Sequence, residues 1–132
     1  MSLRVELDVP GQAAPISHFA HAVRGGGLLF VSGIVPVDAE GRLVGGDDVV
    51  AQARQVFASM RDVLAAAGCT LADVLKVTVF LTDIGDRPAI NPVRQEAFGE
   101  ARPASTLVEV SALAVPGARI EVEAVALVPE GA

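Results

Sequence analysis

The chain has 132 residues, enough for one domain with a real core, and 52% of them are hydrophobic. Ten Lys and Arg stand against sixteen Asp and Glu, a formal net charge of -6, and the aromatic set is five Phe with no Trp or Tyr. Too few cations to displace counterions from phosphates, and no stacking platforms beyond those Phe, argue against nucleic acid and anionic membrane surfaces as partners.

Residues 3–9 alternate, Leu3, Val5, Leu7 and Val9 against Arg4, Glu6 and Asp8, which predicts a half-buried strand ended by Pro10-Gly11. A second strand is expected over about 17–24 and a third over 28–33, joined as a hairpin through Gly25-Gly26-Gly27. That triplet opens no helix and has no lysine, so it is not a phosphate loop. Residues 36–48 are turn-rich and read as a surface loop. A helix follows over about 49–67, with Val49, Ala53, Val56, Phe57, Met60, Val63, Leu64 and Ala67 on one stripe. Asp47 or Asp48 can cap its start and Gly68 can end it.

A strand is expected over 75–81, then a short helix over 92–98 with Asn91 at its cap, Pro92 at its first position and Gly99 at its end. Two last strands, 105–111 and 119–128, are joined by Ala114-Val115-Pro116-Gly117. The order strand, strand, strand, helix, strand, helix, strand, strand predicts a single-domain α+β fold: a six-stranded mixed sheet with two helices on one face. No stretch is apolar enough to span a membrane, and no basic-then-apolar leader opens the chain. Cys69 has no partner for a disulfide or a thiolate metal site, fits a reducing cytoplasm, and is read as a small buried hydrophobe. His18 and His21 are an odd number of residues apart in the expected second strand, so they face opposite ways and read as surface or edge histidines.

The last two strands carry Glu109, Glu121 and Glu123 inside apolar runs. A carboxylate in such a position is desolvated, so it is either paired or kept for proton chemistry. The final strand presents Ile120, Val122, Ala124, Ala126 and Val128 to one side and Arg119, Glu121, Glu123, Val125 and Leu127 to the other. The second side is too greasy for solvent and too charged for a core, which predicts a subunit interface with a pocket. On the residues alone, the reading of Glu121 as the structural ion-pair partner of Arg119 is the favoured one.

The segments Ala14-Pro15-Ile16, Val31-Ser32-Gly33-Ile34-Val35-Pro36-Val37, Lys76 to Asp83, Asn91 with Ala97-Phe98, Arg102 to Val110 and Ile120 to Ala126, in that order and spacing, resemble the YjgF/RidA family of enamine/imine deaminases. The resemblance covers nearly the whole chain. It implies a chorismate-mutase-like fold and a homotrimer with clefts between subunits. It also implies hydrolysis of a 2-iminoacid or its enamine to a 2-ketoacid and ammonia, with no metal or organic cofactor. Position by position, it makes Glu121 the water-activating glutamate, Ser32 the pocket serine and Asn91 the pocket asparagine. Phe19 stands where the family often has a tyrosine, Leu107 where it has a cysteine, and Ser105 where it has a carboxylate-binding arginine. Ser105 and Thr106 then become polar lining, and Phe19 and Leu107 apolar wall.

A serine cannot supply a charged, bidentate contact to a carboxylate. The expected substrate is therefore a small enamine or imine other than a simple 2-iminoacid, with a non-catalytic metabolite-binding homologue as the alternative. Arg102 points to the wrong face to substitute for the missing arginine, and Arg24 and Arg119 are weak replacements. Thr106 and Ser105 are also readable as satisfying backbone groups, Ser32 as a strand-end turn residue, and Asn91 as a helix cap.

Overall fold

The hydrophobic periodicities close into one sheet and one helical layer in a computed structural model that describes residues 3–131. The elements are β1 (Val5–Leu7), β2 (Ala22–Gly25), β3 (Leu28–Ile34), α1 (Val49–Ala66), β4 (Val74–Leu81), α2 (Arg87–Phe98), β5 (Ala104–Glu109) and β6 (Ile120–Leu127). The six strands lie in the order β1-β2-β3-β6-β4-β5. β6 is antiparallel to both β3 and β4, and β4 runs parallel to β5 through α2. The sheet is mixed, as expected, and the crossover from β3 through α1 to β4 leaves a slot that the last strand fills.

β2 and β3 meet through a two-residue turn at Gly26-Gly27. Both turn residues have positive φ, 59° and 80°, which is the conformation that twists with the flanking strands and that side chains oppose. In α1, the Asp48 side chain accepts hydrogen bonds from the amides of Val50 and Ala51. At its other end the amide of Gly68 donates to Ala65 and that of Cys69 to Leu64, the paired bonds of a Schellman stop. The helix stripe packs on the sheet side carrying Leu29, Val31, Val77, Val79, Leu81, Ile120, Val122 and Ala126, all buried. α2 joins the same layer, where Phe98 meets Phe57 edge-to-face at 5.6 Å. Cys69 is buried in this core, as its neighbours predict.

Three expectations need correction. Only residues 5–7 of the first alternating run pair with β2, and Leu3 stays two-thirds exposed (66%), because β1 is an edge strand with one neighbour. The second strand starts at Ala22 rather than at about 17. His21 diverts the chain there: its Nδ1 accepts from the Val9 amide at 2.8 Å and its Nε2 lies 2.8 Å from the Ala13 carbonyl. His21 is therefore a staple between loop segments and not a surface histidine.

The third correction concerns α2, which begins at Arg87, so Asn91 is in its second turn and caps nothing. The proline of the first turn is Pro88, and Pro92 lies inside the helix. Ile90, Val93 and Phe98 are buried at helical spacing, so tertiary burial carries the helix through a residue that locally opposes it.

Candidate functional site

The three acids of the last two strands meet different fates. The Glu109 carboxylate accepts from the Ile84 amide at 2.9 Å and holds a turn. Glu123 is exposed. Glu121 is half-buried and, among the described residues, has no hydrogen-bond or ion-pair partner. Burial first, and the like charge of Glu123 second, push its carboxyl above the usual pKa of 4.5. Arg119 does not neutralise it. That guanidinium clamps Asp86 at 2.9 and 2.8 Å and reaches the Asp47 carbonyl at 2.7 Å. The ion-pair reading of Glu121 is therefore overturned: the side chain of Arg119 is committed to the starts of the two helices.

The carboxylate lies against Gly33. β3 changes register against β6 between Val31 and Ile34, and this irregularity sets the Ser32-Gly33 backbone over Glu121. A Cβ on residue 33 would collide with Glu121 Oε2, so glycine is needed for the close approach. Around the pair is a cavity of about 410 Å3, within the usual size of a small-molecule site. Its wall comes from the loop Gln12 to Ser17, Phe19 and His21, the strand segment Ser32 to Val35, Ser59 and Val63 of α1, and Ala114-Val115. Ser32 donates through Oγ to the Ala20 carbonyl at 2.6 Å, so its hydroxyl proton is spent. Phe19 is 44% exposed, an apolar rim without a hydroxyl. No Lys or Arg lines the cavity, Arg24, Arg102 and Arg119 included.

Of the residues singled out from sequence, Phe19, Ser32 and Glu121 converge here; Asn91, Ser105, Thr106 and Leu107 do not. Register explains the separation. Glu121 is opposite Phe80 on the open face of the sheet, while Ser105 is opposite Val77, whose face is covered by helices. β5 is moreover two strands away from β6, roughly 10 Å at normal strand spacing. Leu107 packs partly against the core. Ser105 and Thr106 do not serve backbone groups. Ser105 Oγ accepts from Arg94 Nη2 at 2.7 Å, and Thr106 Oγ1 accepts from Lys76 Nζ at 2.6 Å. Arg94 of α2 thus meets Ser105 on the helix-covered side of β5, with Asn91 one turn earlier on the helix, while Lys76 and Thr106 pair on the other side of the sheet.

Arg94 is the residue that sequence reasoning missed. With the helix start placed after its true position, the helical repeat Arg87-Asn91-Arg94 was broken, and that repeat is the signal that could have found it. Among the described residues, no group of three or more His, Cys, Asp or Glu could hold a metal ion. No helix of the described residues is long and apolar enough to cross a membrane.

A family model described as Endoribonuclease L-PSP matches residues 11–128. The 3-aminoacrylate deaminase RutC of Acinetobacter baylyi is 39% identical over 122 residues, covering 92% of this chain and 96% of that protein. The 2-iminobutanoate/2-iminopropanoate deaminase of Capra hircus is 38% identical over 115 residues, 86% and 82% of the two chains. Among solved structures, the YjgF gene product of E. coli superposes with a TM-score of 0.85 at 31% identity, covering 93% of this chain and 98% of that one.

Proposed function

The chain belongs to the YjgF/RidA family, which the L-PSP model describes, and from that premise we propose that it hydrolyses a small enamine or imine, releasing ammonia. The observation that carries the reading is the unpartnered, half-buried Glu121 carboxylate facing a cavity of about 410 Å3. A C=N carbon is already electrophilic, so the protein has to position a water and manage protons. The Glu121 carboxylate takes a proton from the water as its oxygen bonds to the C=N carbon. The nitrogen takes that proton to give a neutral carbinolamine; Glu121 then carries the carbinolamine hydroxyl proton to the nitrogen as the C–N bond breaks, so ammonia leaves and a C=O group remains. An enamine is first protonated on carbon, and the half-buried Glu121 carboxyl, its pKa raised by burial and Glu123, is the acid placed to do it.

Two deaminases among its relatives are named for small acids bearing an enamine or imine. Their names support that class of substrate for this chain as well. The residues that fail to converge in one chain are part of the same reading: Asn91, Ser105, Thr106 and Leu107 belong to a half-site that a neighbouring copy contributes. The open face of the sheet supports this, since it exposes Phe30, Leu127 and Val108. A homotrimer with clefts between its subunits is the assembly we propose.

The test is ammonia release from imines generated in situ from amino acids. Wild-type protein accelerates release, and Glu121→Gln lowers the rate by about 100-fold or more. A Gln variant with full activity would remove Glu121 from the mechanism. A second reading, metabolite binding without turnover, is favoured by the poverty of free polar groups on the wall: Ser32 and His21 are engaged with backbone, and Phe19 has no hydroxyl. It predicts measurable ligand binding with no acceleration of ammonia release by the wild-type protein.

A further inference from the structure

A small imino or enamine acid carries a carboxylate, and the cavity that would receive it holds a glutamate and no Lys or Arg. His21, the one imidazole on the wall, has both ring nitrogens engaged by backbone groups. Seating an anion beside Glu121 without a cation is opposed electrostatically. The positive charge must therefore come from outside the cavity.

Arg94 and Lys76 are both half-buried cations that donate to a neutral hydroxyl, and of the two only Arg94 carries a planar fork. Acids outnumber bases sixteen to ten in the chain, yet among the described residues no carboxylate lies within ion-pair distance of Arg94. Its guanidinium is half-buried and donates to the neutral Ser105 hydroxyl at 2.7 Å. A planar guanidinium anchored by one neutral acceptor keeps most of its donors for a planar anion. Asn91, three residues earlier on the same face of α2, adds an exposed amide. Burial and the neighbouring Arg87 both oppose the charge on Arg94, which an arriving carboxylate would relieve. Arg94 sits with edge strand β5 on the helix-covered side of the sheet, so it cannot meet Glu121 of its own chain.

We propose that Arg94, steadied by Ser105, is the group that binds the substrate carboxylate, delivered to the Glu121 cavity by a second copy of this chain. The identity of the anion rests on the deaminase reading, and the proposal returns simple imino acids to the substrate range that Ser105 had put in question.

Pyruvate, a small 2-ketoacid of the product class, is the probe, titrated calorimetrically into the full chain. Arg94→Ala should weaken its binding about 30-fold or more. Arg94→Lys, which keeps the charge and loses the fork, should recover part of that loss. Glu121→Gln should bind at least as tightly as wild type. Wild-type affinity in Arg94→Ala, or no pyruvate binding by the wild-type protein, overturns the proposal. If Arg94→Ala abolishes binding but the wild-type protein releases no ammonia from imino acids, the deaminase reading falls and the carboxylate site stands. For an active wild type, co-expressed Glu121→Gln and Arg94→Ala chains should regain activity, because mixed assemblies contain intact sites. Mixed assemblies as inactive as their parents overturn delivery by a second copy.

Discussion

Glu121 concentrates the cost and the use of this site in one side chain. Its carboxyl titrates above 4.5 in the folded chain because burial and Glu123 both disfavour the charge. Between 4.5 and that raised value the folded state binds more protons than the unfolded one, so stability falls as pH rises through the window, and the loss is complete above it. Glu121→Gln should therefore melt at a higher temperature than wild type at neutral pH, with the gap closing in acid once both forms are neutral. Thermal melts across pH read this directly; a Gln variant less stable at neutral pH would show that the carboxylate has a stabilising partner. The acidic position inside an apolar run was legible from alternation alone. That Gly33 rather than Arg119 would be its neighbour was not, because the choice depends on which strand pairs with β6 and on the register shift at residues 31–34.

At the scale of elements, α1 was readable in full because its stripe, its Asp48 cap and its Gly68 stop all agree. α2 was misread because Pro92 outweighed the buried Ile90 in a local reading. The elements are tied together by polar groups that no periodicity reports. Gln52 is fully buried; its Nε2 donates to the carbonyls of Gly46 and Gly117, and its Oε1 accepts from the Arg119 amide. It joins α1 to the loop before it and to the entry of β6. Gln52→Leu strands those three backbone groups, and we expect a loss of about 2 kcal/mol or more in denaturant unfolding, with little change in ammonia release per folded molecule. A neutral effect on stability would mean that the loops re-pair on their own. Arg119 works similarly through Asp86 and Asp47, which is why a residue beside Glu121 in sequence takes no part in its charge.

For the whole molecule, the open face of the sheet is the deciding surface. Phe30 and Leu127 are each about half exposed, at 50% and 51%, on neighbouring antiparallel strands. The homotrimer proposed here covers them. Sedimentation at micromolar concentration should give three chains, and Phe30→Asp should yield smaller species that release no ammonia although Glu121 is intact. A wild-type monomer that is fully active would refute both the assembly and the shared site. The sequence by itself determined the strand and helix order, the burial of one side of β6, and the presence of an acid on its other side, because these follow from repeats of two and of about 3.6 residues. Tertiary structure alone decided that β6 fills the slot between β3 and β4, that Gly33 shelters Glu121, and that Arg94 rests on Ser105. Each of those joins residues far apart along the chain or depends on where a helix starts, and pairing across such gaps is set by the packing of the folded whole rather than by local pattern.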